Sequence, residues 1–403
     1  MQTENVLAAK TVWNKNYLLL LAGQWVSLLG TAAYEMALPM FILRVSNSPT
    51  VLGVVMAAAV IPFAVLGPFG GVLVDRWSRK WIIVACDLGS GLVVLPAAWL
   101  AARGLLSVPL LVVTVALLSI FAGFFIPAVM ASVPNMVPGQ NLTRAMSLID
   151  SGRQVSLVLG PAIGGMLIVY LGFPWAFLIN GISFLLAGAA ELFMDVPQKR
   201  VTRKLEIFGD LAASWRYIVT HRAILAATAI IMMVNCFEPA IIPVILPIVA
   251  NKIGVGEPGY AMLRAVIGVG SLISAALLAL AREQRRKTWL IVVSMAVFGV
   301  ALVGSGLTQK YALILVGMAI YGLAMGVANT LLTVLLQLLA PDEIRGRVFA
   351  LINTVAVALV PVSYILIGAI LGAVAPAWVL IASGLVTLLG AYQLWRIKEL
   401  REV

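Results

Sequence analysis

The sequence predicts an all-α polytopic membrane protein, with twelve transmembrane helices in two pseudo-symmetric six-helix bundles. Three observations carry that reading. First, 62% of the 403 residues are hydrophobic, 11% are charged and mean hydropathy is +1.08. The apolar residues number about 250, and a spanning helix needs roughly 20, so the chain can fill about twelve spans. Second, those residues come in long continuous runs, not in the alternation of a barrel strand. Third, the two halves repeat each other. A soluble enzyme, a disordered chain and a nucleic-acid-binding domain are excluded by composition alone.

Apolar runs between charged or turn-rich breaks place helices over 17–43, 50–74, 81–102, 108–131, 145–170 and 175–194. A second set covers 223–249, 260–281, 290–308, 312–339, 348–372 and 377–395. The first run is too long for a signal peptide and lacks a small-residue cleavage site. The resulting organisation is a bundle over 1–194, a cytoplasmic linker over 195–222 and a second bundle over 223–403. Within the linker Phe208, Leu211, Trp215 and Ile218 recur at helical spacing, with Asp210, Arg216 and Arg222 off that stripe. This reads as an amphipathic helix at the membrane surface or packed on the bundle.

Lys and Arg placement gives the orientation. With the N-terminus inside, the cytoplasmic face collects Lys10, Lys15, Arg76, Arg79, Lys80, Arg144, Arg153, the 199–222 cluster, the 282–287 cluster, Arg345, Arg347, Arg396, Lys398 and Arg401. Arg44, Arg103, Lys252, Arg264 and Lys310 fall outside. The bias places both termini in the cytoplasm. It also accounts for the net charge of +11 without a nucleic-acid partner. Two cysteines in apolar stretches, Cys86 and Cys236, and one loop histidine, His221, imply neither a disulfide framework nor a metal site. No cofactor is expected.

The repeat has an offset of 203 residues. Pro138, Arg144, Leu148, Ile149 and Asp150-Ser151 align without a gap on Pro341, Arg347, Leu351, Ile352 and Asn353-Thr354. The same offset sets Tyr34-Glu35 on Phe237-Glu238. Glu35 lies about 27 Å along helix 1 and Glu238 about 22 Å along helix 7. A charge at the bilayer centre costs about 2.5–3.5 kcal/mol on insertion scales. Two carboxyls held at one repeat position are therefore proton-coupling candidates. The competing readings are snorkelling to the outer interface or a static pair, with Arg264 as the partner of Glu238.

Gln24, Ser27, Thr31 and Glu35 share one face of helix 1. Asn329, Thr330, Thr333 and Gln337 form a similar stripe on helix 10, and Thr228 and Asn235 accompany Glu238. Polar residues among apolar helices face a cavity or another helix, not lipid. Asp150 and Arg153, one helical step apart, suggest a local ion pair or gate, and Asp87 in helix 3 is a similar case.

Gly71-Val-Leu73-Val-Asp75-Arg76-Trp-Ser-Arg79-Lys80 is similar to the G-x-L-x-D-R-x-G-R-K signature of the major facilitator superfamily, with Ser78 where a glycine is usual. Helix 5 carries Gly152 and Gly160-Pro161-Ala-Ile-Gly164-Gly165, which resembles that family's antiporter motif. Ser363 and Tyr364 replace the Gly-Pro in the second half. Ala22-Gly-Gln24-Trp-Val-Ser27, Asn180-Gly-Ile-Ser183-Phe184 and Arg345-Gly-Arg347-Val-Phe look like the subgroup of macrolide-efflux proteins and the enterobactin exporter. The resemblance covers essentially the whole chain. It implies the major facilitator fold and a cytoplasmic gate at Gly71, Asp75, Arg76, Arg79 and Lys80. Many drug–proton antiporters carry a basic residue in helix 4, whereas 108–131 holds no ionisable side chain and Leu118 lies near the expected place.

The expectation is a monomeric, non-enzymatic secondary transporter of a bacterial inner membrane. It would export an amphiphilic drug-like compound against proton entry, the halves rocking about a midplane cavity. A siderophore or metabolite exporter would share every motif, and a lipid or lysolipid flippase would need a lateral opening. An intramembrane hydrolase would need a nucleophile with a base, and the one histidine lies in a loop; two costly carboxyls argue against a receptor or scaffold without transport; and no G-x-x-x-x-G-K-[ST] nucleotide motor is present.

Overall fold

The computed structural model describes residues 12–198, 215–281, 287–339 and 344–397. Among them twelve helices are long and apolar enough to cross a membrane, and no strand occurs. The first six are α1 (Lys15–Ser46), α2 (Pro49–Ala58 and Ile61–Arg76), α3 (Arg79–Ala102), α4 (Val108–Met136), α5 (Leu142–Leu171) and α6 (Phe173–Glu191). The remaining six are α7 (Arg222–Asn235 to Leu246–Lys252), α8 (Gly256–Leu280), α9 (Lys287–Gly306), α10 (Tyr311–Leu339), α11 (Arg345–Leu371) and α12 (Pro376–Arg396).

Local chemistry sets the ends. The Asn14 side chain caps α1 by accepting from the Tyr17 N–H at 3.0 Å, which satisfies one of the orphan donors of a first turn. The same side chain donates to the Met136 carbonyl at 2.8 Å and ties the start of α1 to the end of α4. Asn47 closes α1 in the left-handed region, at φ 48°.

Two expected helices are broken. α2 is interrupted at Ala59–Val60. The 223–249 run, expected as one helix, changes character at its centre. An α-helix ends at Asn235, a 3-10 turn covers Glu238–Ala240, a π segment covers Ile241–Ile245, and α-helix resumes at Leu246. Pro239, Pro243 and Pro247 each lack the N–H that an α-helix needs there. The Tyr260 hydroxyl donates to the Ile242 carbonyl at 3.1 Å, so part of the loosened backbone is re-satisfied by α8.

The chain groups into two compact units, Met1–Asn47 with Ala58–Leu205, and Ser48–Ala57 with Glu206–Val403. In the first, α3 runs along α6, α1 packs on α5 and α6, and α4 lies against α3 and the second part of α2. In the second, α9 runs along α12, α7 packs on α11 and α12, and α10 lies against α9 and α8. The pairing of helices repeats as the sequence does. Ser48–Ala57 joins the second unit through Gly53 and Gly368 of α11: a Cβ on Gly368 would stand 2.8 Å from the Gly53 Cα. Ile218 of the linker is buried in the second unit with Ile224, Ala227, Leu336, Val348 and Ile352. Phe208, Asp210 and Leu211 lie outside the described residues, as do the basic positions 282, 285 and 286.

Small residues set the helix spacing, as expected where lipid and core are equally apolar. On α5 the motif glycines face α1. A Cβ on Gly152 would meet the Trp25 ring at 2.7 Å, one on Gly160 would meet the Ala32 methyl, and one on Gly164 would meet Met36 Cβ at 2.8 Å and the Ala33 carbonyl oxygen at 3.0 Å. Tryptophans mark the span ends: Trp77, Trp81, Trp99, Trp175, Trp289, Trp378 and Trp395 are all exposed, as side chains at membrane–water interfaces are.

Gly164→Val is expected to destabilise the first unit by about 1–3 kcal/mol, because backbone stands in the way. Gly304→Ala, on α9, meets nothing within 4 Å. It should leave stability unchanged or raise it by up to about 1 kcal/mol. Thermal melts of the purified variants check both, and equal melting points would refute the packing role.

Candidate transport site

The break in α7 positions Glu238. Its half-buried side chain leaves the helix where the 3-10 turn begins. The Tyr321 hydroxyl of α10 donates to Glu238 Oε1 at 2.9 Å. Tyr321 is fully buried and meets Phe298 of α9 edge-on at 5.0 Å between ring centroids. The donor is therefore held rigidly, and the acceptor sits on the least regular backbone of the unit. Arg264, the partner expected from sequence, has its guanidinium 6.0 Å over the Tyr260 ring.

One turn earlier Asn235 donates to the Ile231 carbonyl at 3.0 Å. Lower on α10, Asn329, Thr330, Thr333 and Gln337 form an exposed polar stripe. Thr330 and Thr333 return their hydroxyls to the Gly326 and Asn329 carbonyls, at 2.9 and 2.8 Å. These bonds leave the hydroxyl lone pairs and the Asn329 and Gln337 amides available outward.

In the first unit the helix 1 stripe divides. Gln24 and Ser27 are buried, and the Ser27 hydroxyl turns to the Gln24 carbonyl at 3.2 Å. The Thr31 hydroxyl donates to Asn180 Oδ1 of α6 at 3.3 Å. Glu35 is exposed. The two repeat-related carboxyls thus occupy different surroundings. At the offset of 203, the residue matching Tyr321 is Leu118, which has no proton to donate. Sequence reasoning noticed Leu118 but missed Tyr321, although the offset already in hand connects them.

The basic turn between α2 and α3 is strapped from the segment after α6. Gln198 Oε1 accepts from the Arg79 backbone N–H at 3.0 Å, and its Nε2 donates to the Trp77 carbonyl at 2.9 Å. The buried Arg79 guanidinium donates to the Ala131 carbonyl of α4 at 2.7 Å. Lys80 pairs with Asp195 at 3.8 Å. Gly71 leaves open space where a Cβ would stand. Arg76, Asp150 and Arg153 are exposed. The side chains of Asp75 and Arg347 lie outside the described residues. Among the described residues no group of three or more His, Cys, Asp or Glu gathers to hold a metal.

Twelve spans, a repeated pairing of helices and a carboxyl at a broken central helix define a transporter-like scaffold. The model of the family described as Major Facilitator Superfamily matches residues 20–362. The chain belongs to that superfamily. Macrolide efflux protein A of Streptococcus pyogenes is 25% identical over 362 residues, covering 88% of this chain and 89% of the relative. The putative bacilysin exporter BacE of Bacillus amyloliquefaciens is 27% identical over 340 residues, covering 82% and 83%. The solved D-xylose-proton symporter shares the fold at TM-score 0.72 and 16% identity, with 96% of this chain and 99% of that one covered. The nucleoside transporter NupG does so at 0.73 and 12%, covering 94% and 98%. As a member of the superfamily this chain is a multi-pass membrane transporter.

Tyr321→Phe keeps the ring against Phe298 and removes the donor. Leaving Glu238 Oε1 without it is expected to cost about 1–3 kcal/mol. Combined with Glu238→Gln, the two losses should not add, because the residues share one bond. Thermal melts of the two single variants and the double variant test this, and strict additivity would contradict the pairing.

Proposed function

We propose that the protein exports a small amphiphilic, drug-like compound across the bacterial inner membrane by alternating access, driven by proton entry. Both termini lie in the cytoplasm and the working unit is a monomer. The observation that carries this is the Glu238–Tyr321 pair at the proline break of α7. Irregular backbone within a span is tolerated where it serves a cavity. A carboxyl there can exchange a proton with water, and Tyr321 holds its orientation while it does so. Glu35 holds the matching place in the first repeat and is the second candidate for proton transfer. The membrane potential supplies about 2.3 kcal/mol per charge per 100 mV, enough to drive a useful gradient.

Export is favoured because the relatives named above are a macrolide efflux protein and a putative bacilysin exporter. The glycine seam of α5 against α1 fits the antiporter motif. The α10 stripe of Asn329, Thr330, Thr333 and Gln337 supplies hydrogen bonds to a mostly apolar substrate, with Asn235, Gln24, Ser27 and Thr31 as further candidates. The strapped turn at Arg79 and Lys80, with Gly71, Asp75, Arg76, Asp150 and Arg153, forms the cytoplasmic gate.

The test is a substrate screen in proteoliposomes under an imposed pH gradient. Transport should follow the gradient in wild type, and Glu238→Gln and Glu35→Gln should each reduce it at least tenfold at equal protein levels. Transport that persists in both variants, or that ignores the gradient, would overturn proton coupling at these positions.

A further inference from the structure

A second pair of acids lies in the first unit, away from Glu35 and Glu238. Asp87 of α3 is 2% exposed and Glu191, the last residue of α6, is fully buried. α3 and α1 both pack along α6, and a Cβ on Gly23, next to Gln24, would stand 3.3 Å from Glu191 Oε1, so Asp87, Glu191 and Gln24 lie within interaction range of one another. Asp87 Oδ2, both carboxylate oxygens of Glu191 and Gln24 Nε2 are all buried without a hydrogen-bond partner. Two carboxylates offer only acceptors, so no hydrogen bond can form between Asp87 and Glu191 until something positive arrives.

Among the described residues, none packed around the pair supplies such a charge. On α3, the Arg79 guanidinium is directed to the Ala131 carbonyl, and Lys80 pairs with Asp195. Arg79 also stands about 12 Å along the helix from Asp87. On α1, Lys15 is exposed and the Tyr17 hydroxyl donates to the Ala145 carbonyl at 2.8 Å. Tyr34 and Glu35 lie about one turn beyond Thr31, toward the far end of α1. Cys86 adjoins Asp87 and can add only negative charge. α4, packed on α3, carries no titratable side chain over Val108–Met136. Asp150 and Arg153 of α5 are exposed. A buried, uncompensated carboxylate pair is too costly to stand.

We propose that Asp87, Glu191 and Gln24 form a binding site for one small monovalent cation, a proton or a sodium ion. The ligands are the hard carboxylate oxygens of Asp87 and Glu191, which do not suit soft metals, and Gln24 Nε2 serves as a hydrogen-bond donor that orients Glu191. The site is tight, since a Cβ on Gly23 would stand 3.3 Å from Glu191 Oε1. Gln24 lies about 14 Å from the start of α1 and Asp87 about 12 Å from the start of α3. α6 ends at Glu191, so all three meet on the side of the bundle where α1 and α3 begin. Along α1 the site therefore lies about 16 Å from Glu35, toward the start of the helix. It can bind its ion whether or not the protein exports a drug, and the test needs no transport.

The full chain is purified into nanodiscs, and two arms separate the ions. In the first, pH-difference infrared spectra follow the protonated-carboxyl band in H2O and D2O. In the second, melting temperature is followed against NaCl, with choline chloride at equal ionic strength as reference. The expected result is a response in one arm: a deuterium-sensitive carboxyl band, or a saturable rise in melting temperature specific to sodium. Asp87→Asn and Glu191→Gln, near-isosteric changes, should each abolish it, while Asp195→Asn, a surface carboxylate, should retain it. A wild-type protein that responds in neither arm overturns the proposal with no variant needed. A response that survives in both Asp87→Asn and Glu191→Gln overturns it as well.

Discussion

A carboxyl inside an apolar helix bundle has to be given a partner, and that constraint shapes the second unit. Glu238 meets it with one neutral hydrogen bond from Tyr321, at 2.9 Å. A neutral donor suits the proton exchange proposed for Glu238. It orients the carboxyl without the strong attraction that an Arg or Lys partner would add. The three prolines of α7 make the arrangement affordable, because the backbone that presents Glu238 is already irregular and close to side chains that re-satisfy it.

The scaffold is duplicated and the chemistry is not. Helix pairings recur in both units, and small residues set the close contacts in each: Gly160 and Gly164 against α1 in the first, Gly299 and Gly384 against each other in the second. At the candidate positions the copies diverge. Leu118 stands where Tyr321 would be needed, Ser363 and Tyr364 stand for Gly160 and Pro161, and Glu35 is exposed where Glu238 is half-buried. Packing tolerates duplication because any pair of small residues serves. A hydrogen-bonded carboxyl needs a particular donor at a particular distance, so the bond that Tyr321 makes to Glu238 has no counterpart from Leu118 in the first unit.

Most of the fold was legible in the sequence because a span is a one-dimensional signal. Twenty apolar residues between basic turns need no knowledge of what they touch. The repeat was legible for the same reason, and so was the position of Glu238. Its partner was not, because Tyr321 is eighty-three residues away and nothing in an apolar run says which neighbour it meets. The break in α7 was visible in Pro239, Pro243 and Pro247, yet hydropathy averages over it. Glu191 gives little signal either: it ends an apolar run, where charge is ordinary, and only the packing of α6 on α1 and α3 turns it inward. Spacing puts Gln24 and Ser27 on one face, but spacing alone does not say whether that face meets a cavity or a helix.

The account stands on water reaching Glu238. In a chain with Cys86→Ser and Cys236→Ser, a cysteine placed by Glu238→Cys can be probed in sealed vesicles with a membrane-impermeant maleimide. Labelling from one aqueous face, altered by bound substrate, is the result expected of a carboxyl that exchanges protons with solvent. A thiol that stays unreactive from both faces, in protein that still melts cooperatively, would mean that Glu238 is only a structural link to Tyr321.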